Sequence, residues 1–167
     1  MNKSGAEFSE DGKFRFALWR IWNEQKPLVM FIGLNPSTAN ENDTPKGNDN
    51  TITKVKKIAA FNGYGGFYMM NLFPHVTSNP DKLPEMTDSM YYEQWHLRNA
   101  VLTLLINNKK CRDVVFAWGA FKKAKEKGMR YGLIFPEALC LKVNKDGSPK
   151  HPLYCRDDSK LIKFNQQ

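Results

Sequence analysis

The chain has 167 residues, the size of one domain and enough to bury a core without disulfide or metal staples. Lysine and arginine outnumber aspartate and glutamate by 25 to 17, a net charge of +8, which suits polyanionic partners, nucleic acid first, and equally describes a generally solvated lysine surface. No apolar run approaches the ~20 residues of a membrane span, and the opening MNKSGAEFSEDGKFRF has no secretory apolar stretch, so a soluble, cytoplasmic, monomeric protein with no membrane association is expected.

Taken in chain order, residues 14–19 (FRFALW) alternate loosely and predict a strand at a sheet edge. Residues 28–33 (LVMFIG) form a continuous apolar run, as in a strand covered on both faces. A helix is predicted over 51–61, with Ile52, Val55, Ile58 and Ala59 on one stripe and Asn50 or Thr51 as its cap. Gly63, Gly65 and Gly66 end it. Residues 67–72 (FYMMNL) read as a second buried strand, and 74–89 as a long proline-bearing connection. Asp88 or Ser89 would cap a helix from Met90 to about Asn108. Residues 113–118 (DVVFAW) give a third strand, 120–131 a basic helix, 138–143 (ALCLKV) a fourth strand, and 157–164 a short last helix. No repeat or linker divides the chain, so a single domain over 1–167 is expected, with its core over about 28–160.

Strands alternating with helices predict an α/β protein: three layers, α/β/α, around a central, mainly parallel four-stranded sheet. Ligands of such sheets bind beyond the carboxyl ends of the strands. Asn35, Asn71 and His151 each follow a predicted strand, so the topology predicts that they converge on one rim. Each also has an ordinary structural role open to it. Asn35 can shape the turn before Pro36, Asn71 can satisfy loop backbone, and His151 can be an exposed loop residue. His75 is the rival histidine. Cys111, Cys140 and Cys155 lack metal-ligand spacing, so no metal is expected. The chain has no phosphate-loop, nucleophile-elbow or dinucleotide motif, and no cofactor is implied.

GLNPS at 33–37, YMMN ending at Asn71, VVFAWGAFKKAKEKG at 114–128 and KHPLY at 150–154 together resemble the uracil-DNA glycosylase superfamily, particularly its mismatch-specific branch. The chain also resembles a bacterial and phage family of unassigned function that shares GLNPS and NLF. The first resemblance implies a uracil-DNA glycosylase-like fold and a DNA base-excision enzyme that hydrolyses the N-glycosidic bond of a flipped, mismatched or modified base. Under it, Asn35 holds the attacking water, Asp43 or Asp49 supplies a carboxylate and His151 stabilises the leaving base; Asp49 is equally open to a turn or helix-capping role just before Thr51. Asn71, Phe73, Pro36 and Ser37 would bind the base. Lys122, Lys123, Lys150 and Arg156 would follow the phosphates, and Leu153 and Tyr154 would wedge into the duplex. The chain departs from the superfamily in its short HPLY loop and in Ser37-Thr38 after Pro36. The identity of the base therefore stays open. So do a non-catalytic nucleic-acid or nucleotide-binding module and a hydrolase of free nucleosides or nucleotides.

Overall fold

The computed structural model describes residues 3–83 and 111–164. The helix expected from Met90 to Asn108 lies outside the described residues. The strands are β1 (Lys3–Phe8), β2 (Arg15–Ile21), β3 (Leu28–Gly33), β4 (Gly66–Asn71), β5 (Cys111–Phe116), β6 (Leu139–Cys140) and β7 (Ile162–Lys163). The helices are α1 (Asn50–Phe61) and α2 (Ala124–Ile134), with single 3-10 turns at Pro80–Lys82 and Pro152–Tyr154.

The strands form one sheet in the order β1-β2-β4-β3-β5-β6-β7. Neighbours from β4 through β3 and β5 to β6 pair in parallel. The β1–β2, β2–β4 and β6–β7 ladders are antiparallel. The protein is therefore of the α/β class, but its sheet has seven strands where four were expected.

The centre of this sheet follows from its most apolar strand. All six residues of β3 are buried, and successive side chains leave opposite faces. Val29 and Phe31 pack with Ile52, Val55, Ile58 and Ala59 of α1. Met30 and Ile32 join a second cluster that includes Phe116, Trp118 and Ala124 at the start of α2. One helix thus covers each face, and each such fully buried side chain contributes about 1.5–3 kcal/mol. The α1 cap is Asp49, which takes the capping role open to it, one residue ahead of Asn50 and Thr51; its Oδ1 accepts the Ile52 N–H at 2.8 Å. An aspartate here also suits the positive end of the helix dipole.

Three other expectations are corrected. The strand read at 14–19 is not an edge, because β1 pairs along its outer side. The strand read at 138–143 shortens to Leu139–Cys140. The helix read at 157–164 is an extended segment ending in β7. Its backbone is claimed by neighbours: Asn62 Nδ2 donates to Ser159 O at 2.9 Å, Leu161 N to Asn62 Oδ1 at 3.1 Å, and Phe164 N to Ala138 O at 2.9 Å. Asp157 meanwhile pairs with Lys54 and Lys57 of α1.

Two arginines of β2 shape the approach to the site. Arg20 is fully buried and fastens the 40–48 loop: Nη2 donates to Asn40 O (2.6 Å) and Asn42 O (2.9 Å), and Nε to Asn48 Oδ1 (2.9 Å). Asp43 lies 3.8 Å away and supplies the counter-charge. Arg15 owes its orientation to an irregularity. Ala17 pairs with Glu7, but Arg15 pairs with Phe8, leaving Phe16 as an extra residue. Such a bulge reverses the alternation beyond it, so Arg15 shares the α1 face with Leu18 and Arg20. There its Nη1 donates to Ala39 O at 2.8 Å.

Candidate active site at the ends of the parallel strands

A cleft of about 550 Å³ opens where the four parallel strands end. The loop after β3 contributes Asn35 and Ser37, and the first turn of α1 contributes Thr51. Thr77 and Ser78 follow β4, while Trp118, Gly119 and Phe121 follow β5. Beyond β6 come Lys150, His151, Leu153 and Tyr154. The volume falls within the ~300–1,000 Å³ of small-molecule sites, and the position is the one open α/β sheets use for ligands.

Asn35 and His151, distant in sequence, therefore line one cavity. The Asn35 amide nitrogen is already engaged, donating to Pro36 O at 2.9 Å and Thr77 O at 2.7 Å. Those two carbonyls fix the amide's orientation, since only the NH2 end can bond them. Oδ1, an acceptor, is what remains to hold a water or ligand N–H. Pro36 is structural: it is buried, and its carbonyl also takes the Thr77 N–H at 2.9 Å.

His151 precedes the 3-10 turn, and its Nδ1 accepts the Leu153 N–H at 3.3 Å. An Nδ1 that accepts leaves the ring proton on Nε2, which is then a donor. Burial pushes the His151 imidazole below the ordinary histidine range, and the nearby Asp49 charge only partly opposes this. The ring is neutral at neutral pH. Gly119, with φ +79°, lets the backbone pass it, since a Cβ there would stand 3.1 Å from His151 Cβ. Gly119→Ala is expected to cost about 1–2 kcal/mol for the left-handed backbone and to displace His151; urea unfolding and any activity of the cleft report the two effects separately.

The same burial has a consequence for stability. Burial lowers the His75 imidazole too, with help from Lys127. A histidine held neutral in the folded state stabilises it above the unfolded value of about 6.5, and that contribution is lost as pH falls below it. The urea midpoint is therefore expected to drop between about pH 7 and pH 5, and His151→Asn should flatten the drop. A midpoint that rises on acidification would contradict this assignment.

The remaining candidates separate. Asn71 is not on the cleft lining. It ends β4 level with Gly33, is only 4% exposed, and neither side-chain polar atom has a partner among the described residues. Asp49 also lies off the lining. Its Oδ1 serves the α1 cap, and its charge is felt at both His151 and Arg15. Phe73 is corrected from base stacking to core: it is buried among Met70, Leu72 and Leu83, with the Lys127 ammonium 4.1 Å over its ring. His75 packs edge-on to Phe14, with ring centroids 4.7 Å apart, and does not line the cleft. Leu153 and Tyr154 stand at the rim, 42% and 76% exposed. Lys150 lines the cleft, and Lys122 lines an adjoining hollow beside α2. Lys123 donates to Leu83 O at 2.8 Å. Arg156 is an exposed residue bound through two nitrogens to Asp158, at 2.8 and 3.0 Å.

Sequence reasoning missed Arg15, which is 3% exposed and has a buried Nε without a partner among the described residues. The signal was present as one of two arginines inside an otherwise apolar strand, FRFALWRI. Among the described residues, no group of three histidine, cysteine, aspartate or glutamate side chains is arranged to hold a metal. Cys140 is buried and its thiol is pushed up to about 11, so it stays protonated. No described helix is long and apolar enough to cross a membrane.

The fold is an α/β sheet with a cleft at the carboxyl ends of its parallel strands, the place where open sheets of this class hold their ligands. The chain belongs to the family described as protein of unknown function DUF1643, whose profile matches residues 15–153. The matched span runs from Arg15 to Leu153 and so contains every described residue of the cleft lining except Tyr154. No curated protein and no solved structure gives a significant match to the chain.

Proposed function

We propose that the protein is a base-excising N-glycosylase acting on DNA. The observation that carries this reading is the pairing, in one cleft, of an acceptor from the β3 loop (Asn35 Oδ1) with a neutral imidazole donor from beyond β6 (His151 Nε2–H). The GLNPS, YMMN and KHPLY motifs support it through their resemblance to the uracil-DNA glycosylase superfamily.

The chemistry asks for few groups. A base must leave the stack before an enzyme can work on it. Heterolysis of the C1′–N bond sends its electron pair to the base and leaves an oxocarbenium-like sugar. A water held by Asn35 Oδ1 then attacks C1′ and loses its proton to solvent. Because the sugar cation is already electrophilic, an amide that only orients water suffices, although it cannot act as a base. His151 donates to the base oxygen as negative charge builds there. A preorganised donor of this kind contributes about 3–4 kcal/mol to the barrier difference. The net charge of +8 favours a polyanionic substrate, and Leu153 and Tyr154 at the rim fit the gap an extruded base leaves.

One observation favours the rival reading of a non-catalytic binding module: Asn35, in the loop after β3, is an amide tied to two carbonyls, and no carboxylate lines the cleft among the described residues. The experiment that decides is incubation with duplex oligonucleotides bearing uracil, mismatched thymine or hydroxymethylcytosine, followed by alkali. Strand scission in native protein that His151→Ala and Asn35→Ala abolish supports the enzyme. Salt-sensitive binding without scission supports the module. Release of bases from free nucleosides alone supports neither.

A further inference from the structure

The hollow beside α2 is a second cavity, of about 490 Å³, and it meets the cleft along the turn 118–121, whose four residues line both. Its size also falls within the ~300–1,000 Å³ of small-molecule sites. The floor is aromatic. Trp118 and Phe164 lie edge to face with ring centroids 6.4 Å apart, and they are 4% and 6% exposed. One wall is α2. Gly128 lets the helix lie directly on the Trp118 indole, because a Cβ there would stand 2.8 Å from the ring. Met129, on the same wall, is 50% exposed. Another wall is the turn 146–149.

The charges around this floor are unequal. Lys122 and Lys125 line the cavity, are exposed, and are paired with no carboxylate among the described residues. Asp146 is the one carboxylate on the lining among the described residues. It accepts from Ser148 N at 3.1 Å and from Ser148 Oγ at 2.6 Å, and the Lys125 charge reaches it. Lys122 follows directly on the turn that the two cavities share.

We propose that this second cavity is a subsite for the nucleotide next to the one in the cleft, holding the neighbouring base on its apolar floor and the linking phosphate at Lys122. The proposal rests on the reading of the cleft as a nucleobase site and extends the substrate from one nucleotide to two. Continuity supports it. Residues 119–121 span at most about 10 Å even when extended, and here the Phe121 N–H folds back to Gly119 O at 3.1 Å. One phosphodiester link can cross a ridge of that width. Phe121 is half-buried and lines both cavities, so it stands between the two bases. The chemistry of the lining supports it as well. Any base offers a π-face to aromatic and apolar surface, and an unpaired ammonium beside that surface asks for an anion. A nucleotide supplies both, whereas a free anion leaves the floor bare and an apolar ligand leaves the lysine unmatched. Filling both cavities parts the stack between neighbouring bases, which a single or locally opened strand allows at least cost.

The test is NMR titration of the full chain with deoxyuridine monophosphate, with a dinucleotide of deoxyuridine and thymidine, and with the same dinucleotide carrying an abasic tetrahydrofuran unit in place of the thymidine. Both strand polarities are made. The monophosphate reports the cleft alone, so the two readings fail separately. In one polarity the flanking thymine is expected to tighten binding about tenfold over the abasic dinucleotide. It should also shift the Met129 methyl resonance, which the abasic dinucleotide leaves in place. Met129→Glu should cut the gain to about twofold or less. Lys122→Glu should weaken both dinucleotides alike, since they share the phosphate. Should Met129→Glu not fold, as shown by loss of its cooperative melt, the native methyl shifts and Lys122→Glu carry the comparison. Equal affinity of the two dinucleotides in both polarities, a gain that leaves the Met129 methyl unmoved, a gain that survives Met129→Glu, or dinucleotides unweakened by Lys122→Glu would overturn the proposal. Equal affinity alongside monophosphate binding would leave the cleft reading intact, and no binding of any of the three would overturn both. A flanking-base gain in a protein that makes no abasic product would keep the subsite and sink only the excision reaction.

Discussion

Replacing His151 with alanine is expected to lower base release by about 100- to 1,000-fold, the usual cost of deleting one preorganised donor to developing negative charge. The fold should survive, because the His151 side chain accepts one long hydrogen bond, from Leu153 N at 3.3 Å. His151→Asn is the sharper variant. Its side-chain oxygen can still accept from Leu153 N, so the turn is preserved while the Nε2 donor is gone. Both variants should therefore melt close to native protein and both should be nearly inactive. The loss should fall on the rate at saturating oligonucleotide more than on binding, since the donor matters most when charge has moved onto the base. Release within about threefold of native, at unchanged stability, would remove His151 from the reaction.

Arg20→Met is expected to be the most destabilising single change, by about 3–5 kcal/mol. The methionine fills part of the volume but leaves the carbonyls of Asn40 and Asn42 and the Asn48 amide without their donor, and strips Asp43 of one counter-charge. Lys56 still pairs with Asp43, so the carboxylate is not abandoned. Several part-buried acceptors that lose their donor together, around a fully buried side chain, nevertheless place this change at the upper end of single-residue effects. Urea unfolding measures it, and a loss below about 1 kcal/mol would show that the 40–48 loop holds itself without the arginine. Because that loop leads directly into Asp49 and α1, the variant should also loosen the Thr51 side of the cleft.

The sequence disclosed the strands whose burial is continuous. The runs at 28–33, 67–72 and 113–118 lie within two residues of β3, β4 and β5 at either end, because both faces of these strands are covered and nearly every side chain is apolar. It disclosed α1 through its stripe and left its cap among Asp49, Asn50 and Thr51; Asp49 takes it, since an aspartate there satisfies a helix N–H that Asn50 and Thr51, already inside the helix, do not. The flanking strands were not legible. β1 (KSGAEF) has one buried residue, and β7 is two exposed residues whose position is set by Asn62 and Ala138 elsewhere in the chain. Meeting of the loops that carry Asn35 and His151 followed from topology, because both sit just past parallel strands. Depth did not follow. Asn71 ends its strand as read, yet lies beneath the cleft lining. Phe73, an aromatic that sequence leaves open to core packing or base stacking, packs into the core under Lys127. Arg15 could not be placed by counting, because a one-residue bulge reverses the face that alternation assigns to it.

The most direct measurement of the central claim is mass-spectrometric detection of free base released from a duplex carrying one uracil or one mismatched thymine, counted against abasic sites in the same sample. Native protein is predicted to release the base in one-to-one ratio with abasic sites, and His151→Asn to release neither. An intact duplex under native protein that demonstrably binds it would contradict the account and leave the cleft a recognition site without a reaction.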